Sequence, residues 1–278
     1  MGLRVSTNVA AINAQRNLSG SQMNIQSSLE KLSSGSRINK GADDAAGLAI
    51  SENLKAQIRS TRQANRNAND GISMVQTAEG GLNEIGNIIV RMRELGIQSA
   101  SDTVSDVERG FVDKEIQQLK SELQRIASVT TWGKSKLLDG STPVYDFQVG
   151  VFNNQDEDRI SFDASTNVAT LEALGLADLD YTSKDGAQAA LEKLDSAQEG
   201  VNGMRSNLGA LQNRLQSTVN NLGVFEENMS AANSRIRDTD MANVSAELTR
   251  NSIILQASTS ALAQANTSNQ VALNLIRG

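Results

Sequence analysis

From Leu191 to Ile236 the apolar side chains recur at alternating gaps of three and four residues or at multiples of seven. They run through Leu194, Val201, Leu208, Leu211, Leu215, Leu222, Phe225, Met229 and Ala232. A repeat of this kind over six heptads predicts one long helix with a narrow apolar stripe, because only positions 3.5 residues apart keep to one helical face. Val112, Ile116, Leu119, Leu123 and Ile126 repeat the pattern over a shorter stretch. Leu54, Ile58, Ile72, Val75, Leu82, Ile85, Ile89 and Met92 give a longer, looser one. At 1.5 Å per residue a helix of about 50 residues is roughly 75 Å long, which exceeds ordinary globular helices. The expected fold class is therefore mainly α, an elongated bundle of long helices.

The missing residue types narrow the function. The chain has no Cys and no His, which removes Ser-His-Asp and Cys-His nucleophilic sites and the usual zinc ligands. No catalytic, cofactor-binding or metal residues are expected. A formal net charge of −6 disfavours nucleic acid and anionic membranes as partners. The first twenty residues hold no apolar stretch of signal-peptide length, and no segment anywhere approaches a membrane span. Export, if it occurs, is expected without a cleaved signal peptide.

Charge is unevenly placed. Residues 1–34 carry only Arg4, Arg16, Glu30 and Lys31, and residues 239–278 only Asp240, Glu247, Arg250 and Arg277. Between Asp139 and Glu199 thirteen acids face three bases, a local net of −10 that leaves +4 for the rest of the chain. The middle, near 139–190, reads as a short acidic, solvated outer segment. The ends read as segments that pack closely on a partner. Leu18, Ile25, Leu29 and Leu32 form a weak stripe in front, and Val244, Leu248, Leu255 and Leu262 another behind. Neither stripe buries enough surface to offset ordering entropy alone, so both ends are expected to be disordered until a partner arrives. Ser33 to Gly41 breaks the front helix, Asp43 or Asp44 caps the next one, and Arg237-Asp238-Thr239-Asp240 forms the corresponding joint at the rear.

Only one region has strand periodicity. Val144 to Val149 and Arg159 to Phe162 alternate around Asn153-Asn154 and three acids, which predicts a β-hairpin near 144–163. Trp132 is expected to pack beneath it. The expected domains are 1–41 with 239–278, as an inner terminal-helix layer, and 42–238 as a rod-like helical domain.

Several motifs resemble those of bacterial flagellins. These are Leu32-Ser33-Ser34-Gly35-Ser36-Arg37-Ile38-Asn39 with Asp43-Asp44-Ala45-Ala46-Gly47, then Arg66-Asn67-Ala68-Asn69-Asp70-Gly71-Ile72-Ser73 with Gln76-Thr77-Ala78-Glu79-Gly80. Toward the other end stand Leu208-Gly209-Ala210-Leu211-Gln212-Asn213-Arg214-Leu215, Ser234-Arg235-Ile236-Arg237-Asp238 and Leu262-Ala263-Gln264-Ala265-Asn266. The resemblance implies that the terminal helices pair as an antiparallel coiled coil on assembly and line a tube. It also implies a structural subunit, exported through the flagellar type III route with a secretion chaperone and growing beneath a filament cap. Phe147-Gln148-Val149-Gly150 and Ile160-Ser161-Phe162 resemble the family's hairpin. About 20 residues separate Phe162 from the last long helix, which leaves no room for the outer domains of larger members. Thr131-Trp132-Gly133-Lys134 departs from the family's Phe-Asn-Gly.

An interface joining different surfaces on identical copies does not close, so the expected polymer is an open helical filament. The alternative is a hook-filament junction protein of the same export class, and an enzyme carried on the acidic middle is a remote third. Arg91, Leu95 and Gln98 share one helical face and Glu115 lies within reach on the next helix. These four match the family motif that engages a host Toll-like receptor, and filament contact through the same face is the plainer reading. Asp43-Asp44 reads as capping, Asp156-Glu157-Asp158 as a solvated hairpin tip, and Gly80-Gly81 lacks the Lys-Ser/Thr of a phosphate loop.

Overall fold

The computed structural model describes residues 7–141 and 144–277, and the side chains of these up to residue 267. The chain is mainly helical, in the order α1 (Val9–Ser34), α2 (Ala45–Ser99), α3 (Asp106–Val129), β1 (Thr131–Trp132), β2 (Ser135–Lys136), β3 (Val144–Gln148), α4 (Gln155–Asp158), β4 (Arg159–Asp163), α5 (Lys184–Arg237) and α6 (Met241–Arg277). Long α2, α3 and α5 coincide with the three apolar repeats. The packing divides into two compact units: residues 1–56 with 228–278, and residues 57–227.

The second unit carries a continuous core. Leu82, Ile85, Ile89 and Met92 from α2, Ile116 and Leu123 from α3, and Leu194, Val201 and Leu215 from α5 are fully buried. A fully buried side chain of this size contributes about 1.5–3 kcal/mol. Phe225 does not join this stripe. It is 46% exposed beside exposed Val224, because the buried line continues through half-buried Leu222 and Glu226, which lie roughly 60° and 100° round the helix from Phe225.

The turn from α2 into α3 has a signature in the sequence. Ser105-Asp106-Val107-Glu108 is a capping box: the Ser105 hydroxyl accepts from the Glu108 N–H, and the Glu108 carboxylate accepts from the Ser105 N–H at 2.8 Å. The Ser105 hydroxyl also donates to the Glu108 carboxylate at 2.9 Å, and the bonds from the Ser105 N–H and hydroxyl hold that carboxyl below its ordinary pKa. Arg109 is buried and donates to the Ser99 and Ser101 carbonyls, at 2.9 Å each, and to Asp106 at 2.6 Å. It satisfies the Ser99 carbonyl, which the end of α2 leaves without a helical partner, and ties the following turn to it through Ser101.

The hairpin forms where its alternation predicts. β3 and β4 pair antiparallel with Tyr145 opposite Phe162 and Phe147 opposite Ile160, and the Tyr145 and Phe162 rings stack at 6.1 Å. Trp132, by contrast, does not lie beneath the hairpin. It sits 40% exposed in a second, two-residue pair with Ser135–Lys136, turned by Gly133 at φ 62°. Two residues per strand are too few for an alternation to be read.

The acidic middle is more than solvated surface. Its carboxylates are largely exposed, but Leu137, Leu138, Phe162, Ala169, Leu176 and Tyr181 are buried in the core between them. The irregular stretch after β4 is tied down by backbone: the Ala169 N–H donates to the Leu138 carbonyl at 2.9 Å, and the Leu171 N–H to Gln124 at 3.1 Å. Burial, with the nearby Asp113 carboxylate adding to it, pushes the Tyr181 phenol up to about 12. Asp158 of the supposedly solvated tip is also buried, accepting from the Asn154 N–H at 2.9 Å.

Candidate assembly surfaces

The first unit is built differently. Among the described residues its buried apolar side chains are Ile38, Met229 and Val244. α1 packs along α6, and the direction follows from the two ends. Asn8 caps α1 through the Ala11 N–H at 3.0 Å and donates its amide to the Ala265 carbonyl at 3.0 Å. At the opposite end Ser36 bridges Asp238 in antiparallel fashion. The pair is therefore antiparallel.

Along α1 the inward positions are Ala11, Ala14, Leu18, Ser21, Ile25, Ser28 and Leu32, a strict three-and-four alternation. Facing them on α6 are buried Val244 and half-buried Leu248, Leu255 and Leu262. Seven of the eight side chains expected to form the inner stripes lie on this seam. Leu29 does not. It is 50% exposed, since it follows Ser28 by one residue and so lies about 100° further round the helix.

The seam is thin. The two α1 residues that it buries outright are Ser21 and Ser28, while larger apolar side chains point away from it: Val9, Ile12 and Met23 on α1, and Ile253 and Ile254 on α6 are 42–64% exposed. α1 and α6 are helical and paired along this seam. Their apolar surface is nevertheless largely uncovered, and such patches mark sites of association.

The two helix breaks lie side by side, a juxtaposition that the sequence does not announce. The Arg37 N–H donates to the Arg237 carbonyl at 2.7 Å and the Thr239 N–H to the Gly35 carbonyl at 3.0 Å. The Arg37 guanidinium donates to the Ile236 carbonyl at 2.8 Å, and Arg237 pairs with Glu52. Gly35 adopts φ 67°, a left-handed conformation that ends α1. Asp43 accepts from the Asn39 and Lys40 N–H groups at 3.0 Å each, which hold its carboxyl below the usual aspartate range. Asp44 caps α2 through the Gly47 N–H at 2.8 Å. A Cβ on Gly47 would run into Asp44 and come within 2.8 Å of the Ile38 side chain, so a larger residue there would displace the Asp44 cap. Asp240 caps α6 through the Ala242 N–H at 2.9 Å.

In the second unit Arg91 and Glu115 do meet, at 3.0 Å, and Arg91 also pairs with Glu94 at 2.9 Å. Gln98 is exposed beside them. Leu95 is not part of an exposed face: it is 3% exposed and belongs to the core. Its spacing from Arg91 fits one face, but it lies at the edge of the Ile88, Met92 and Ser99 stripe, and the core takes it. No group of acidic residues suited to holding a metal ion occurs among the described residues, and none of the described helices is long and apolar enough to cross a membrane.

The breaks, the antiparallel end helices and the hairpin set the chain beside a known family. The profile for the bacterial flagellin N-terminal helical region matches residues 5–142, and that for the bacterial flagellin C-terminal helical region matches residues 191–276. The chain belongs to the bacterial flagellin family. It is 44% identical to a flagellin of Halalkalibacterium halodurans over 98% of this chain and 99% of that one. It is 41% identical to the flagellar filament core protein flaB2 of Brachyspira hyodysenteriae, again over 98% and 99%. The crystal structure of Bacillus cereus flagellin superposes with a TM-score of 0.50 at 29% identity, covering 60% of this chain and 94% of that one.

Proposed function

We propose that this flagellin is the structural subunit of a bacterial flagellar filament and that its end helices drive polymerisation. One observation carries the reading: α1 and α6 leave Val9, Ile12, Met23, Leu29, Ile253 and Ile254 exposed, while the seam between them buries Ser21, Ser28 and Val244 and leaves its leucines half-covered. Stacked copies cover those outward faces, and ordering of the ends is coupled to that burial. A contact between unlike faces repeats without closing, which favours an open helical filament over a ring. The role is structural, since it rests on faces rather than on a pocket, and the filament core protein among the relatives supports a subunit over a junction protein.

The same reading places the chain outside the cell. Thinly packed ends suit passage through the flagellar export apparatus in an unfolded state, with a secretion chaperone escorting the chain and a filament cap guiding growth. A chain without Cys forms no disulfides on the way. The exposed Arg91, Glu115 and Gln98 supply the surface for a protofilament neighbour or a host Toll-like receptor, with Leu95 supporting that face from beneath.

Electron microscopy of seeded assembly tests the proposal, with the full chain beside a chain ending at Asp240. Long filaments are expected from the first and none from the second. Filaments from both would place assembly outside α6.

A further inference from the structure

The long helices of the second unit carry two charge stripes of opposite sign. Between residues 57 and 69, α2 holds Arg59, Arg62 and Arg66 and no acid. The three are exposed and fall within about 60° of one another around the helix, away from buried Thr61, Ala64 and Ala68. Arg62 is engaged by Glu226 of α5 at 2.6 Å, and Arg66 donates to its neighbour Gln63 at 3.1 Å. Neither Arg59 nor Arg66 pairs with a carboxylate among the described residues. On α5, Asp185, Glu192 and Glu199 recur at intervals of seven. All three are exposed, on the side opposite buried Ala187, Leu194 and Val201, and none makes an ion pair among the described residues.

The two stripes match in spacing. Arg59 and Arg66 are one heptad apart, as are Glu192 and Glu199, so each pair of like charges spans roughly 10 Å along its helix. They cannot meet within one chain. Arg62 pairs with Glu226 and Arg93 with Asp195, so α2 and α5 run antiparallel with the same residue interval between the pairs on both helices. In that register Glu192 and Glu199 lie level with Gly96 and Ile89 of α2. Each is thirty residues from Arg66 or Arg59, roughly 45 Å along the helix. A second copy in the same orientation, shifted by that distance, brings Glu192 level with Arg66 and Glu199 level with Arg59 together. A polyanion such as nucleic acid is a poor occupant of the arginines, because the chain as a whole is at −6. The hairpin-tip acids Asp156 and Glu157 are adjacent in sequence and do not reproduce the heptad interval.

We infer that the α2 stripe of one copy docks on the α5 stripe of a second copy, with Glu192 against Arg66 and Glu199 against Arg59. The inference rests on the filament reading and adds to it a contact through the second unit that sets the axial shift between copies. Each copy offers both stripes on different surfaces, so the contact propagates.

Charge reversal tests it. Arg59→Glu with Arg66→Glu sets like charges against each other in the contact, and so does Glu192→Arg with Glu199→Arg in a second chain. Each pair is expected to raise the critical concentration for seeded growth about tenfold. Monomer melting is expected to stay where it was, because all four side chains are already in water. A chain carrying all four substitutions regains opposite charges at every contact and is expected to grow within about threefold of the unmodified chain. Unchanged growth of either pair, or a four-substitution chain no better than the pairs, would overturn the contact while the unmodified chain still forms filaments. No filaments from the unmodified chain would overturn the filament reading and the contact together.

Discussion

Ile253→Glu combined with Ile254→Glu stops filament growth and leaves the subunit's melting curve where it was. In the single chain these side chains are 61% and 42% exposed, so a carboxylate in their place costs the monomer almost nothing. α6 keeps its helix, since Glu has a better intrinsic helix propensity than Ile. In a filament that covers the face, two unpaired carboxylates leave water, and the effective penalty is several kcal/mol for each. With every 1.4 kcal/mol worth a factor of ten, the critical concentration rises more than about 100-fold. Seeded assembly followed by light scattering reads this directly. Growth at an unchanged critical concentration would mean that the outward face of α6 stays in water.

Leu82→Ala has the opposite signature. Leu82 is completely buried in the second unit, where truncation removes transfer energy and leaves a cavity, together about 3 kcal/mol. For a unit of this size that lowers the melting midpoint by roughly 6–12 °C. Calorimetry of the monomer checks it, and a drop of less than 2 °C would place Leu82 at a looser position than its burial implies. Below the new midpoint the filaments still grow, because the end helices are untouched. The two substitutions thus separate stability of the second unit from assembly through the first.

Much of this arrangement is legible in the sequence because it is periodic. The helices at 45–99, 106–129 and 184–237 follow apolar repeats, and the hairpin follows an alternation; both are short-range patterns that each residue reinforces. The joints at Gly35 and Asp238 are legible because turn and cap residues interrupt those repeats. Their backbone bridge is not, since hydrogen bonds between main chains leave no mark on side-chain identity. Leu95, Leu29 and Phe225 show the limit of reading faces by spacing. Residues at the edge of a stripe fit either side, and the neighbouring helix decides whether they are covered. Trp132 and the residues from 164 to 181 lie in irregular backbone, where no period exists to be read, so the burial of Tyr181 in an acidic segment comes from tertiary contacts alone. Arg109 was within reach: a capping box immediately before a basic residue, next to a helix C-terminus, is a local pattern.

The central claim is that the first unit gains its order from other copies of the chain. Hydrogen exchange of amides 9–34 and 241–267, compared between monomer and filament with residues 72–95 as the internal standard, tests this most directly. The account predicts rapid exchange of both end helices in the monomer, strong protection in the filament, and slow exchange of 72–95 in both. End helices as protected in the monomer as in the filament would contradict it.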